Sequence, residues 1–261
     1  MGGARLAVAQ LAVSTEVAVQ TVFSGEPAAV TVFVENGGRE PVKDAVSTRI
    51  FQLAAATKMP LGERQPWKEI AVLAGQTVRE KIELTFPALA ELALYRVEFT
   101  EAKGGPLGGV TVRACPRTLL QTLTRLSGGQ PVGVGDAGGQ LSAVLKRCDV
   151  PLVEIAGEAA ADFHGSLALL RSADVTPAES TRLRALAAAL AKRGVAVLWL
   201  QPAPGGTERE TRTVGRGGAV CELALRDFDR LENSAAAQLR VVESAHYLLT
   251  PAHEPSGQPE P

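Results

Sequence analysis

The residues Gly133-Val134-Gly135-Asp136-Ala137-Gly138 match the spacing G-x-G-x-x-G, and an acid, Glu154, lies 21 residues after the first glycine. In a dinucleotide site, that spacing lets the backbone approach a pyrophosphate at a helix N-terminus while the acid holds a ribose. The fingerprint needs a buried strand directly before its first glycine, and Ser127-Gly128-Gly129-Gln130-Pro131 stands there instead. The glycines therefore fall inside and just after a strand. The plainer reading is a tight strand-to-helix turn, in which Gly138 and Gly139 take backbone angles that other residues resist. A helix starting at such a turn can also hold an anion. Asp136, Glu154, Arg171, Ser172 and Gln201 fall at the carboxyl ends of predicted strands, where open α/β sheets bind ligands. Asp136, Gly138, Gly139, Arg171 and Ser172 form the candidate ligand-binding set.

Catalytic chemistry is harder to find. Ser172 follows a strand, but its neighbours are Arg171 and Ala173, and no glycine flanks it as in the elbow G-x-S-x-G. His164 precedes the same strand, and a pairing with Ser172 rests on nearness in sequence alone. His246 lies in the last helical segment and His253 in the tail. No H-x-x-x-H spacing and no carboxylate cluster point to a metal. Cys115, Cys148 and Cys221 are far apart and odd in number, so they read as small buried hydrophobes rather than a disulfide framework or a zinc site. No catalytic residue, metal or cofactor is assigned. A sugar platform needs an exposed aromatic ring, and Trp67, in a proline-containing turn region, is the candidate; Tyr95 and Phe99 share one strand face and read as core.

These residues must be held by two kinds of scaffold. Thr176–Gln201 is the best-specified piece. Thr176 and Glu179 make a capping box and Pro177 suits the first turn. Leu183, Leu186, Ala187 and Leu190 repeat at helical spacing, and Gly194 stops the helix. VAVLWL then follows, apolar on both faces, as a strand covered on both sides. Around it, from Pro131, strand and helix alternate: VGVGD, QLSAVLKRC, PLVEIAG, SLALLRS, the capped helix, VAVLWLQ, a polar loop over 202–212, the strand GRGGAVCELAL, and a closing helix capped at Asn233 or Ser234. This spacing predicts a parallel, doubly wound sheet. Residues 5 to about 114 instead alternate apolar and polar with period two, as in Val30-Thr31-Val32-Phe33-Val34 and Tyr95-Arg96-Val97-Glu98-Phe99. Seven or eight short strands with turn signals between them predict an immunoglobulin-like β-sandwich without a disulfide. The expected division is a sandwich over 1–115, a linker with a short helix over 116–130, an α/β domain over 131–250 and a disordered proline-rich tail over 251–261.

The 261 residues carry 27 basic and 28 acidic side chains, so no charge excess steers the chain to nucleic acid or an anionic membrane, and neither partner is expected. No apolar run approaches the roughly 18 residues of a membrane span. The N-terminus, with one Arg and no cleavage-site pattern, lacks a signal peptide, and a fragment with upstream sequence missing is expected.

With these motifs in place, the C-terminal half resembles the class I glutamine amidotransferase-like, flavodoxin-like domains found as non-catalytic parts of bacterial glycoside hydrolases. The resemblance is carried by VGVGDAGGQLSAVLKRCDVPLVEI, ALAAALAKRGVAVLWLQ and VGRGGAVCELALRDFDRLENSAAAQLRVVESAHYLL. The N-terminal half, through FSGEPAAVTVFVENGGREPV, LAGQTVREKIEL and LYRVEFTEAKGGPLGGVTV, is similar to the β-sandwich modules that precede such domains. Active amidotransferases of that family carry a cysteine on the turn that here reads Arg171-Ser172-Ala173, so the resemblance implies a scaffold without its nucleophile. It further implies an exported or periplasmic parent protein, a glycosidase catalytic domain or a second subunit as partner, and carbohydrate as a further partner. Two readings stand. One is a non-catalytic accessory module of a carbohydrate-active protein. The other is a small hydrolase or ligand-binding α/β domain using the strand edge around Asp136, Arg171 and Ser172.

Overall fold

The computed structural model describes residues 11–155, 160–172, 176–215 and 218–250; the expected tail over 251–261 and residues 5–10 of the expected β region lie outside them. The chain divides into two compact units, 1–116 and 117–261.

The first unit is built from β1 (Leu11–Ser14), β2 (Val19–Phe23), β3 (Pro27–Asn36), β4 (Val42–Ala54), β5 (Thr57–Val72), β6 (Thr77–Thr85), β7 (Ala93–Glu101) and β8 (Pro106–Cys115). The period-two pattern does put one side of each strand in the interior. Val30, Val32 and Val34 of β3, Tyr95, Val97 and Phe99 of β7, and Val110 and Val112 of β8 join one core cluster. The immunoglobulin-like sandwich of two separate antiparallel sheets, however, is not what these strands make. They form one continuous, curled, mixed sheet of eight strands, in the order β5-β4-β7-β8-β1-β3-β6, with β2 also on β8. The reason lies on one edge of β8. It carries two successive strands in parallel: β2 pairs along Thr111–Cys115 and β1 meets it where Val13 faces Gly108. Gly108 has φ +121°, and a Cβ there would stand 2.5 Å from the Val13 carbonyl oxygen, so only glycine lets β1 bridge the gap. With that bridge in place, the ladder runs unbroken from β5 to β6, so the strands make one sheet and not two.

The sheet ends on β5 and β6. These are consecutive in the chain but do not pair with each other through the backbone. The curl brings them face to face, and Lys68 of β5 donates to Glu80 Oε2 of β6 at 2.8 Å. β5 is sixteen residues long and carries Pro60 and Pro66, with register shifts against β4 at Val46/Ser47 and Thr48/Ile50. Proline has no N–H to offer a ladder and is placed at edges for that reason.

The second unit opens with a 3₁₀ turn at Leu119–Gln121 and the short helix α1 (Thr122–Leu126), which packs on the closing helix α4 (Ala235–Leu249). The remaining elements are β9 (Val132–Gly135), α2 (Gln140–Arg147), β10 (Leu152–Glu154), β11 (Leu167–Arg171), α3 (Pro177–Lys192), β12 (Ala196–Pro202), β13 (Arg209–Gly215) and β14 (Gly218–Leu225). α3 begins as its sequence dictates. The Glu179 N–H donates to Thr176 Oγ1 at 3.3 Å and the Thr176 N–H to Glu179 Oε2 at 2.8 Å.

The flavodoxin-like, doubly wound parallel sheet expected here is overturned. The sheet is mixed, in the order β10-β9-β11-β12-β14-β13, and β13 runs antiparallel to β14. The segment read as a polar loop over 202–212 contains most of β13, an edge strand with no buried apolar side chain over 209–213 to betray it. Because β12 reaches β14 through this hairpin, no α-helix crosses between them among the described residues. Among the described residues no α-helix joins β10 to β11 either. α3 covers one face, over Ala168, Leu170, Val197 and Trp199, and α4 packs on β12 and β14.

Candidate functional site

The glycines of the 133–138 stretch have packing duties. Gly133 is paired on both sides, with Val153 and Ala168, so its backbone is fixed. A Cβ on it would lie 2.8 Å from the ring of Phe163. Gly135 is similarly filled by Leu170, 2.6 Å from where its Cβ would be. The strand-to-helix turn follows, with Gly139 at φ +66° just before α2.

Asp136 sits in that turn with its side chain 1% exposed. Its Oδ2 accepts from the Leu141 N–H at 2.5 Å and its Oδ1 from the Gly138 N–H at 3.2 Å. The carboxylate therefore satisfies the free N–H groups at the start of α2, which have no partner inside the helix. Arg171, at the end of β11, is 6% exposed, and its Nη1 lies 3.6 Å from Asp136 Oδ1. Its Nη2 donates to Gln140 Oε1, and the guanidinium stands 5.0 Å over the Phe228 ring. Gly138 lies beside this pair, and a Cβ there would make only an ordinary contact, 3.4 Å from Arg171 Nη1. Asp136, Gly138, Gly139 and Arg171 are thus brought together, turned toward one another.

Ser172 lies next to them in the chain and has a different neighbourhood. Its N–H donates to the Leu200 carbonyl at 3.1 Å. Its Oγ accepts from Trp199 Nε1 at 2.5 Å. An indole N–H is only a donor, so it cannot take the proton that a serine nucleophile must lose. His164 stands before β11 and Ser172 after it, at opposite ends of a strand about 16 Å long, so the two do not pair. Ala173, the far side of the expected elbow, lies outside the described residues. Glu154 is exposed and paired with Lys146 at 3.1 Å; Gln201 lies on β12 opposite Ala224.

A cavity of about 570 Å³ opens beside the ends of β9 and β10, against α3, with Asp136, Glu154, Glu179, Arg182, Leu183 and Leu186 in its wall. Its three acids are already engaged: Asp136 with α2 and Arg171, Glu154 with Lys146, Glu179 with Thr176. Trp67, in the first unit, lies on β5 and is half-buried. Its ring meets Phe99 in an edge contact with centroids 5.3 Å apart, while Tyr95 and Phe99 are in the core.

Sequence reasoning missed a second polar cluster, around Glu210 of β13. Glu210 Oε1 accepts from Arg212 Nε at 2.7 Å and from Ser244 at 3.3 Å, and its Oε2 from Arg240 Nη2 at 3.1 Å. Arg212 in turn lies 3.6 Å over the ring of Tyr247. Burial works to raise the Glu210 pKa. The hydrogen bonds from Arg212 and Cys221 and the charges of Arg212 and Arg240 outweigh it, so the carboxyl is held below its usual range. The signal lies in Glu210-Thr211-Arg212-Thr213, an alternation of long polar side chains running out of the predicted loop over 202–212. Cys221 faces this carboxylate at 3.5 Å. Burial, reinforced by the charge and hydrogen bond of Glu210, pushes its thiol up to about 12. A thiol that is not ionised at neutral pH is a poor nucleophile. Cys115 is buried too, and Cys148 is the partly exposed cysteine. Titration of the native protein with a disulfide reagent is therefore expected to label Cys148 first, with Cys221 reacting only on unfolding. Loss of a fast-reacting thiol in Cys221→Ala would contradict this assignment.

No cluster of three or more metal-ligating side chains occurs among the described residues, and none of their helices is long and apolar enough to cross a membrane. No protein-family model matches the sequence, and no curated protein matches it. Solved structures overlap it in part. An alkylpurine DNA glycosylase from Pseudomonas fluorescens aligns at 16% identity and TM-score 0.29 over 41% of this chain and 30% of its own. A beta-glucosidase from Listeria innocua aligns at 17% identity and TM-score 0.29 over 40% of this chain and 16% of its own. A Niemann-Pick type C2 protein from Japanese carpenter ant aligns at 12% identity and TM-score 0.29 over 41% of this chain and 88% of its own. Each likeness spans about two fifths of the chain.

Proposed function

We propose that this chain is a non-catalytic accessory module of a carbohydrate-active protein, acting by packing against a glycosidase catalytic domain or a second subunit. The observation that carries the non-catalytic reading is the use made of the strand-end groups. Asp136 caps α2 and pairs with Arg171, and the Ser172 hydroxyl accepts from Trp199. Acid, base and nucleophile each need a free partner in substrate reach, and here the partners are protein groups. The carbohydrate-active setting is supported by the sequence motifs quoted above, not by the partial structural overlaps.

The test is turnover of aryl esters and aryl glycosides by the full chain at high concentration. The expected result is a rate equal to the blank, unchanged in Ser172→Ala. Turnover well above the blank that disappears in Ser172→Ala would replace this reading with that of a small hydrolase working at the strand edge.

A further inference from the structure

The chain has two asparagines, Asn36 and Asn233, and Asn36 stands directly before a glycine. That pairing is chemically unstable, because glycine has no side chain to hinder attack by its own nitrogen. A bond forms between Gly37 N and Asn36 Cγ, the Cγ–Nδ2 bond breaks, and Nδ2 leaves as ammonia with the Gly37 proton. Water then opens the cyclic imide at either of its carbonyls. One opening leaves aspartate. The other leaves isoaspartate, in which the backbone runs through the former side chain and is lengthened by a methylene group.

The fold places this residue where it tolerates neither product. Asn36 ends β3 and is 0% exposed. Its N–H donates to the Gln76 carbonyl and its carbonyl accepts from the Gly75 N–H, both at 2.9 Å. Its Nδ2 donates to the Glu40 carbonyl at 2.8 Å and to the Val72 carbonyl at 3.1 Å, and its Oδ1 accepts from the Gly38 N–H at 2.9 Å. One residue thus ties the corner between β3 and β4 to the turn between β5 and β6. While these bonds hold, the carboxamide is fixed and closed off from water, and Nδ2 cannot leave. A carboxylate reverses the fit. At neutral pH it has no proton to give, so it would set a buried negative oxygen against the Glu40 and Val72 carbonyls. Isoaspartate would in addition shift Gly37 and Gly38 along the chain. We propose that Asn36-Gly37 is a self-modification site guarded by the fold. The reaction runs only when the corner between β3 and β4 opens, and its products keep that corner from closing again. Each modified chain is then a permanent record of one opening, a property that does not depend on the accessory role proposed above.

Incubating the full chain at mildly alkaline pH, with and without guanidinium chloride, and mapping its peptides by mass spectrometry tests this. Asn36 should convert to the two acids in denaturant, and at least about tenfold more slowly in the native chain, which must open first. After the denaturant is diluted away, the refolded fraction should keep Asn36, and the fraction that fails to refold should be enriched in the acids. Gly37→Ala separates the chemistry from the structure. A Cβ at Gly37 would meet nothing within 4 Å, and its φ is not positive, so the variant should melt like the parent. In denaturant it should convert about tenfold more slowly, because the new methyl group hinders ring closure. Asn36→Asp, the product itself, should shift the folding equilibrium about a hundredfold toward the unfolded chain. Conversion of the native chain at the denatured rate would overturn the proposal. So would modified chains that refold as completely as unmodified ones, or equal rates for parent and Gly37→Ala in denaturant.

Discussion

Replacing Asp136 by alanine is expected to destabilise the second unit by about 3–5 kcal/mol, the usual cost of stripping one partner from a buried ion pair. Two losses combine. The Arg171 guanidinium, 6% exposed, is left without its counter-charge, and the Leu141 and Gly138 N–H groups lose their acceptor. Arg171→Met keeps most of the volume and removes the charge. It should cost less, about 2 kcal/mol, because the carboxylate left behind still accepts two N–H bonds. The double variant should then be more stable than the sum of the two single losses by at least about 1 kcal/mol, since neither charge is stranded. Denaturant unfolding followed by Trp199 fluorescence, in a Trp67→Phe background, reports this unit separately from the first. Single-variant losses below about 1 kcal/mol, or strict additivity, would mean that the pair is solvated rather than enclosed.

Gly133→Ala should be nearly as damaging, at about 3 kcal/mol, although it adds a single methyl group. Gly133 sits in the middle of a paired strand, so the backbone cannot move aside, and the new carbon would lie 2.8 Å from the Phe163 ring. Phe163 is held from the other side, because its own ring also fills the place of a Gly165 Cβ and its carbonyl accepts from Arg193. For a unit of this size the loss corresponds to a drop in melting temperature of about 10 °C. Phe163→Leu, combined with Gly133→Ala, should restore part of it by vacating the space. If instead the alanine variant melts like the parent, the close packing of ring on strand is wrong. The glycine spacing would then need another explanation, the phosphate-binding one included.

How much of this could be read from the residues depends on the range of the interaction. The start of α3 was legible because a capping box is settled within four residues, and VAVLWL was legible because a strand covered on both faces shows it in its composition. The turn after β9 was legible as a turn, but the reason for its glycines was not: Phe163 lies thirty residues from Gly133 and nothing local links them. The same holds for the sheets. The bridge of β1 to β8 joins residues 13 and 108, and the sequence around either says nothing of the other. Without it a sandwich is the natural expectation. β13 was missed for a different reason. Its enclosed side chain, Glu210, is charged, so the strand shows no apolar period, and its long polar side chains resemble those of a loop. At the strand ends, the residue types were found and their partners were not. Asp136 and Arg171 look like ligand groups until the distance between them is known.

The two terminal strands of the first sheet have a consequence for the chain in concentrated solution. A strand margin with unused amides is a template on which another molecule can add its own strand, the first step toward fibrils. The net charge of about −1 supplies almost no mutual repulsion to prevent it. On β5, Pro60 and Pro66 have no N–H to offer such a strand, and Lys68 with its partner Glu80 puts charge between the two terminal strands. Replacing both prolines would therefore turn the outer side of β5 into a continuous row of donors, and faster fibril formation in concentrated solution is the expected result.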